Sequence, residues 1–318
     1  MKAIVIEEPG GPEKLLYREV PTPSIKPGWA LVKVRGFGIN HSEIFTRQGL
    51  SPSVQFPRIL GIECVGEVEQ TTDPERLPVR QKVVSIMGEM GRAFDGGYAE
   101  YCLLPNEQVY PVHTNLPWKV LAALPETYYT AYGSMKNLRL DEDCSVLVRG
   151  ATSGVGVAFL RLVKARFPHM RIVGSTRGLA KGRLLLDAGF DGFVVDLDGV
   201  LQTDEMFDRA FELIGPATLK DTCGHIREGG IVCSTGQLGG KWYMDGFDPI
   251  IDLPANGYLT SFYSDNVDGA RLDEMLDYVA YYHVDAMPER VFTLEQVSEA
   301  HRYLADAQSF GKVVVLND

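Results

Sequence analysis

Cysteine is scarce in this chain, and positive charge is outnumbered. The five cysteines, Cys64, Cys102, Cys144, Cys223 and Cys233, are scattered and form no CxxC pair. That argues against a disulfide framework and agrees with a reducing compartment. The six histidines, His41, His113, His169, His225, His283 and His301, show neither HxH nor HxxxH spacing, so no local pair is set up to grip a metal ion. Lys and Arg number 31 against 42 Asp and Glu, a formal charge of -11. A general electrostatic attraction to nucleic acid or to an anionic membrane is therefore excluded, and a phosphorylated ligand must find local positive charge. No apolar run reaches membrane-spanning length. The opening MKAIVIEEPGGPEKL turns acidic after a few apolar residues and does not have the layout of a signal peptide. The cytoplasm is the expected compartment.

What is present reads as a soluble globular protein. Hydrophobic residues make up 45% and charged residues 23% of 318 positions, more chain than a single core usually serves, so two domains are expected. Residues 1–115 are rich in Gly, Pro and short β-type runs such as AIVIEE, WALVKVRGFGIN and CVGEVEQ, separated by turn residues. The texture changes near residue 120. SVLVRG (145–150), RIVGST (171–176), GFVVD (192–196), GGIVCST (229–235) and GYLTSFYS (257–264) read as strands, and VGVAFLRLVKARF (155–167) and AKGRLLLDAG (180–189) as helices. Strands alternating with helices imply βαβ units and a parallel sheet. A closing helical stretch, LEQVSEAHRYLADA, leads to a terminal strand GKVVVL that is free to rejoin the first domain.

Residues 149–156 read RGATSGVG, a small-residue loop between a strand and a helix inside a βαβ unit. That context separates a dinucleotide cradle from a plain turn. Gly154 lets backbone approach a pyrophosphate, Gly156 permits close helix–sheet packing, and Ala151 and Ser153 are too small to obstruct. With Val155 they form the expected phosphate site. The end of the second strand selects the nucleotide. NAD sites usually carry an acid there to accept from the ribose hydroxyls. This chain has Ser175, Thr176 and Arg177, with Lys181 and Arg183 just beyond. Hydroxyls beside cations suit a 2′-phosphate through charge-assisted hydrogen bonds, so NADPH is the expected cofactor.

With these residues in place, the chain resembles the medium-chain dehydrogenase/reductase superfamily, and within it the zinc-free quinone oxidoreductases related to zeta-crystallin. The resemblance runs through GFGINHSEIFTRQG (36–49), FPRILGIECVGEV (56–68), GGYAEY (96–101), LPETYYTAYGSM (124–135), RGATSGVGVA (149–158) and FGKVVVL (310–316). It implies an α/β protein: a Rossmann doubly wound parallel sheet over 119–265, plus a β-rich GroES-like catalytic domain built from 1–118 and 266–318. Zinc-dependent members carry Cys where this chain has Asn40, and His–Glu where it has Ile62–Glu63. The four-cysteine zinc lobe is also missing, because residues 80–110 contain only Cys102. Catalytic zinc needs three protein ligands, so a metal-free mechanism is expected.

A reductase without a Lewis acid favours acceptors that take hydride easily. The resemblance implies NADPH-dependent reduction of quinones. An alkenal or enoyl reductase and a non-catalytic NADPH-binding sensor are the alternatives. Asn40, in the place of the lost cysteine, is the candidate hydrogen-bond donor to the oxygen that gains charge, against the plainer reading of a loop residue bonded to local backbone. Thr130 matches a threonine that sits near the nicotinamide in relatives. Gly236 closes the fifth strand, Phe262 and Ser264 close the sixth, and Lys312 lies in a segment that can approach the cofactor. Glu63 is expected to be a buried remnant partnering a nearby cation. The loop QGLSPSVQFP (48–57) lacks the tyrosine that lines the quinone site in some relatives, leaving Ser51 and Phe56 as weak substitutes. A homodimer joined through the sixth strand is also implied.

Overall fold

The structure is a computed structural model of the chain, and it describes residues 1–306 and 309–317. The chain divides into two compact units. One comprises Met1–Thr127, Ser264–Glu274 and Ala286–Asp318. The other comprises Tyr128–Tyr263 and Met275–Asp285.

The first unit is built on the strand Trp29–Gly38, whose sequence WALVKVRGFG is buried along most of its length. One edge pairs antiparallel with Glu63–Thr71. The other edge is divided. Trp29 to Lys33 pair with Tyr101–Pro105, and Gly36 to Gly38 pair with Val313–Leu316. The terminal strand thus rejoins the first unit, as the sequence led us to expect. The remaining strands of this sheet are Arg290–Thr293, Lys82–Ile86 and Tyr110–Pro111, and a three-stranded sheet of Lys2–Ile6, Leu16–Glu19 and Arg58–Ile59 accompanies it. Residues from both chain ends, including Ile4, Val32, Phe37, Val83, Val297 and Val315, share one core. Burying this apolar surface is what holds the distant segments together.

The second unit is an α/β layer. Its sheet runs in the order Val200–Leu201, Gly192–Leu197, Arg171–Thr176, Ser145–Arg149, Phe207–Glu212, Ile226–Ser234 and Tyr258–Ser261. All pairs are parallel except the short first one. The central strand Ser145–Arg149 carries the apolar run VLV and is buried from Val146 to Arg149, as a strand covered on both faces requires. Strand order reverses at Ser145–Arg149, and in such sheets ligands bind beyond the carboxyl ends of the strands at that point. The last strand is shorter than its sequence suggests. It ends at Ser261 because Phe262 turns its ring onto the helix Pro125–Asn137, edge-on to Tyr129 at 5.6 Å.

Candidate functional site

The glycine loop opens the 13-residue helix Gly154–Arg166. Ser153 caps it, its hydroxyl accepting from the Gly156 N–H at 3.1 Å, which satisfies one of the donors every helix start leaves open. Helix geometry leaves the N–H groups of Gly154 and Val155 without carbonyl partners inside the helix, a ready anion site. A Cβ on Gly156 would stand 2.7 Å from the Ala151 carbonyl oxygen, so only glycine permits this tight return of loop to helix. Ser175, buried at the end of its strand, accepts from the Gly150 N–H at 3.1 Å. Its hydroxyl therefore braces the loop. Thr176 accepts from the Gly178 N–H at 3.5 Å. Arg177 is exposed directly beyond, and Lys181 is half-buried on the following helix, Leu179–Ala188. The structure thus brings Ala151, Ser153, Gly154, Val155, Gly156, Ser175, Thr176 and Arg177 to one end of the sheet. This backbone cradle fits a dinucleotide.

Elsewhere in this unit, Thr130 is buried in the helix Pro125–Asn137, and Gly236 donates its N–H to the Glu212 carbonyl at 3.2 Å. Two buried charges were not singled out from the sequence. Arg149, fully buried at the last position of its strand, donates to Asp196 at 2.9 Å, Asp221 at 2.6 Å, the Thr222 hydroxyl at 2.9 Å and the carbonyls of Gly199 and Thr218. Glu212 accepts from the N–H groups of Ile214 and Gly215 and from the hydroxyls of Thr218 and Thr222. Burial raises its carboxyl above the ordinary range, and the hydrogen bonds and Arg149 oppose that rise. Both close a strand of the parallel sheet, Arg149 after the apolar run VLV and Glu212 after Ala210 and Phe211.

In the first unit, Asn40, Glu63 and Lys312 meet. The Lys312 ammonium donates to Glu63 Oε1 at 2.7 Å and to Asn40 Oδ1 at 2.7 Å. Asn40 Nδ2 donates to the same Glu63 oxygen at 3.2 Å. Glu63 Oε2 accepts from the Glu126 N–H at 2.5 Å, and Ser264 donates to Glu126 Oε1 at 2.8 Å. Glu63 is fully buried and Lys312 nearly so, whereas Asn40 is half-buried. Glu63 is thus the buried partner of a cation that the sequence led us to expect. Gly38 makes the room, because a Cβ there would overlap both Glu63 Oε1 and the Lys312 side chain.

Asn40 starts the helix His41–Arg47, and Glu43 reaches back to the Asn40 N–H at 2.6 Å. The Asn-x-x-Glu spacing was a legible sign of this capping contact. Glu43 also accepts from the Ile62 N–H at 3.0 Å. Burial, followed by the nearby Glu63 charge, pushes its carboxyl up to about 7. Behind it, the Tyr98 hydroxyl lies 3.1 Å from His301 Nε2. Burial lowers His301 to about 3, so the ring is neutral. His41 is half-buried, and burial lowers it too. Ser51 bonds the Thr46 hydroxyl at 2.9 Å, and Phe56 packs on the core.

Two family models match the chain. "Alcohol dehydrogenase GroES-like domain" covers residues 26–114, and "Zinc-binding dehydrogenase" covers residues 187–315. The quinone oxidoreductase of Lama guanicoe is 29% identical over 254 residues, 75% of this chain and 74% of that protein. The chain belongs to the medium-chain dehydrogenase/reductase superfamily. Other relatives on its quinone oxidoreductase branch include the putative quinone oxidoreductase YhfP of Bacillus subtilis, 28% identical over 70% of each chain. The mouse quinone oxidoreductase is 32% identical over 58% of this chain and 55% of that protein. The fold matches the solved Bacillus subtilis yhfP structure with NAD bound, with a TM-score of 0.85, 24% identity and 99% of both chains covered. It also matches a mycobacterial structure complexed with NADPH, with a TM-score of 0.83, 22% identity and full coverage.

The zinc implied by the second family description does not fit here. The Glu63 carboxylate is occupied by Lys312 and the Glu126 N–H, and the Asn40 carbonyl oxygen faces the same ammonium. Among the described residues no group of three or more His, Cys, Asp or Glu is placed to hold a metal ion. No helix among them is long and apolar enough to cross a membrane.

Proposed function

We propose that this oxidoreductase is an NADPH-dependent, zinc-independent reductase of quinones. The observation that carries the reading is the Asn40–Glu63–Lys312 cluster, a hydrogen-bonded organic constellation in which, by the resemblance, Asn40 and Glu63 stand where zinc-dependent relatives place metal ligands. The bound nucleotide supplies hydride. This chain's own residues hold it and stabilise the acceptor. The loop 150–156 takes the pyrophosphate, and Arg177 and Lys181, with Thr176, take the 2′-phosphate. Thr130, Gly236, Phe262 and Ser264 are assigned to the nicotinamide end. Asn40 Nδ2 donates to the acceptor oxygen as it gains charge, an interaction worth more in the transition state than in the ground state.

Reduction of an activated C=C bond is a second reading. It is favoured by the loop 48–57, which has no tyrosine and whose Ser51 is already bonded to Thr46. We assign the protein to the cytoplasm and to a homodimer. The edge strand Tyr258–Ser261 supports the dimer, since it leaves Tyr258 57% and Leu259 39% exposed and open to pairing with a second copy.

The test is NADPH oxidation with 9,10-phenanthrenequinone after treatment with a strong chelator, with NADH and an α,β-unsaturated aldehyde run in parallel. Turnover that survives chelation and prefers NADPH is expected. Loss of turnover on chelation overturns the zinc-independent reading. A saturated aldehyde as the sole product moves the assignment to the second reading, and NADPH binding without turnover moves it to a sensor.

A further inference from the structure

We propose that Lys312 is a positioning residue that sets which end of the Asn40 amide faces the acceptor, and that Glu63 holds Lys312 in place for this purpose. The inference rests on the reading of Asn40 as the oxygen-stabilising donor. It begins with an asymmetry in hydrogen-bond chemistry. An ammonium group has three donors and no acceptor, whereas an asparagine amide has one accepting end and one donating end. Lys312 Nζ stands 2.7 Å from the Asn40 amide, so the atom facing it must be the carbonyl oxygen. A flipped amide would set two N–H bonds against a cation.

The second contact agrees. Asn40 Nδ2 faces Glu63 Oε1 at 3.2 Å, and a carboxylate accepts only. A cation on one side and an anion on the other therefore select the same orientation. Of the two hydrogens on Nδ2, one is committed to Glu63, which leaves the other for the acceptor.

The clamp is itself held. Glu63 Oε2 is fixed by the Glu126 N–H. Lys312 precedes the strand Val313–Leu316, and the Ile39 N–H donates to the Val313 carbonyl at 3.0 Å. The backbone beside Asn40 is thereby tied to the backbone beside Lys312. Gly38 leaves the space in which the two long side chains lie. The charges also polarise the amide. A cation on Oδ1 draws electron density from nitrogen and strengthens Nδ2–H as a donor. Lys312 thus acts on the reaction through Asn40, with two of its three ammonium donors committed to Asn40 and Glu63.

The experiment measures kcat, KM for 9,10-phenanthrenequinone and the NADPH dissociation constant in Asn40→Ala, Lys312→Gln, Lys312→Arg and the double variant Asn40→Ala/Lys312→Gln. Glutamine both donates and accepts, so it releases the amide to flip, whereas arginine only donates and keeps it set. Asn40→Ala should lose roughly 100-fold in kcat, the size of a lost oxyanion donor. Lys312→Gln should lose roughly 10-fold in kcat with KM and NADPH affinity unchanged, and Lys312→Arg should recover most of that loss. The double variant should be no slower than Asn40→Ala alone, because Lys312 then has nothing to orient.

A double variant roughly 10-fold slower than Asn40→Ala overturns the proposal, since Lys312 would then act independently. So does Lys312→Gln with weaker NADPH binding and an intact kcat, which would make Lys312 a cofactor ligand. An Asn40→Ala variant with full kcat overturns the donor reading itself, and the clamp's role with it. If Lys312→Gln leaves Glu63 too costly to bury, Lys312→Gln/Glu63→Gln removes the orphan charge and is held to the same outcomes.

Discussion

Replacing Arg149 with methionine should destabilise the second unit by about 3–5 kcal/mol, the cost of removing one partner from a buried ion pair. Arg149 is fully buried, and its guanidinium serves Asp196, Asp221, Thr222 and two backbone carbonyls. Methionine fills the volume and satisfies none of them. Asp221 is 23% exposed and turns toward water at little cost, whereas Asp196, at 10%, stays behind as an uncompensated charge. The individual hydrogen bonds do not sum, since Thr222 retains Glu212 as a partner. For a unit of this size each kcal/mol lowers Tm by about 2–4 °C, so a fall of about 6–20 °C is expected. Thermal unfolding at pH 7, followed by circular dichroism without added nucleotide, reads it. Arg149→Lys should lose much of the same stability, because an ammonium cannot reproduce the five directed donors of the guanidinium fork. Arg149→Met/Asp196→Asn should recover part of it by removing the stranded charge. A loss under about 1 kcal/mol in Arg149→Met would refute the reasoning, because it would mean that the buried carboxylates find other partners or water. Arg149 immediately precedes the glycine loop, so the same variant should also weaken binding of the nicotinamide cofactor.

Glu43 should make stability fall with rising pH. Its folded-state value of about 7 lies above the ordinary 4.5, so between those limits the folded chain holds a proton that the unfolded chain releases. This group's contribution is fully present below about 4.5 and is lost as pH rises toward 7, by about 3 kcal/mol in total. Urea unfolding at pH 5 and pH 8 should show Glu43→Gln faring better, relative to the parent, at pH 8; equal differences at both pH values would dismiss the burial argument. If the protein takes NADPH as proposed, Arg177→Ala should reduce the ratio of NADPH to NADH affinity by about 10–100-fold, the value of one charge-assisted hydrogen bond. Dissociation constants for both nucleotides test this, and an unchanged ratio would remove Arg177 from the 2′-phosphate site.

Much of this protein was legible because its signals are local. Gly154 and Gly156 follow an apolar strand and open a helix, and no distant residue is needed to read that turn. Ser175, Thr176 and Arg177 declare the charge at the next strand's end in three consecutive positions. The rejoining of the terminal strand was also readable, from an isolated β-type run after a helix. The extent of the last strand of the parallel sheet was not legible, because Phe262 leaves the sheet to pack on a helix more than a hundred residues earlier. Arg149 and Glu212 were passed over, since only burial together with named partners separates a structural charge from a solvated one.

Sequence alone determined the parallel sheet and the loop that opens its first helix. These are matters of residue type and short spacing, and periodicity carries them. Tertiary structure decided that Asn40 meets Lys312 across 272 positions, and that a glycine stands where their ion-paired neighbour needs room. That meeting depends on the antiparallel register between Val313–Leu316 and Gly36 to Gly38. Register is set by which faces are buried against a core drawn from both chain ends, and a slip of one residue would turn every side chain of the strand to the opposite face.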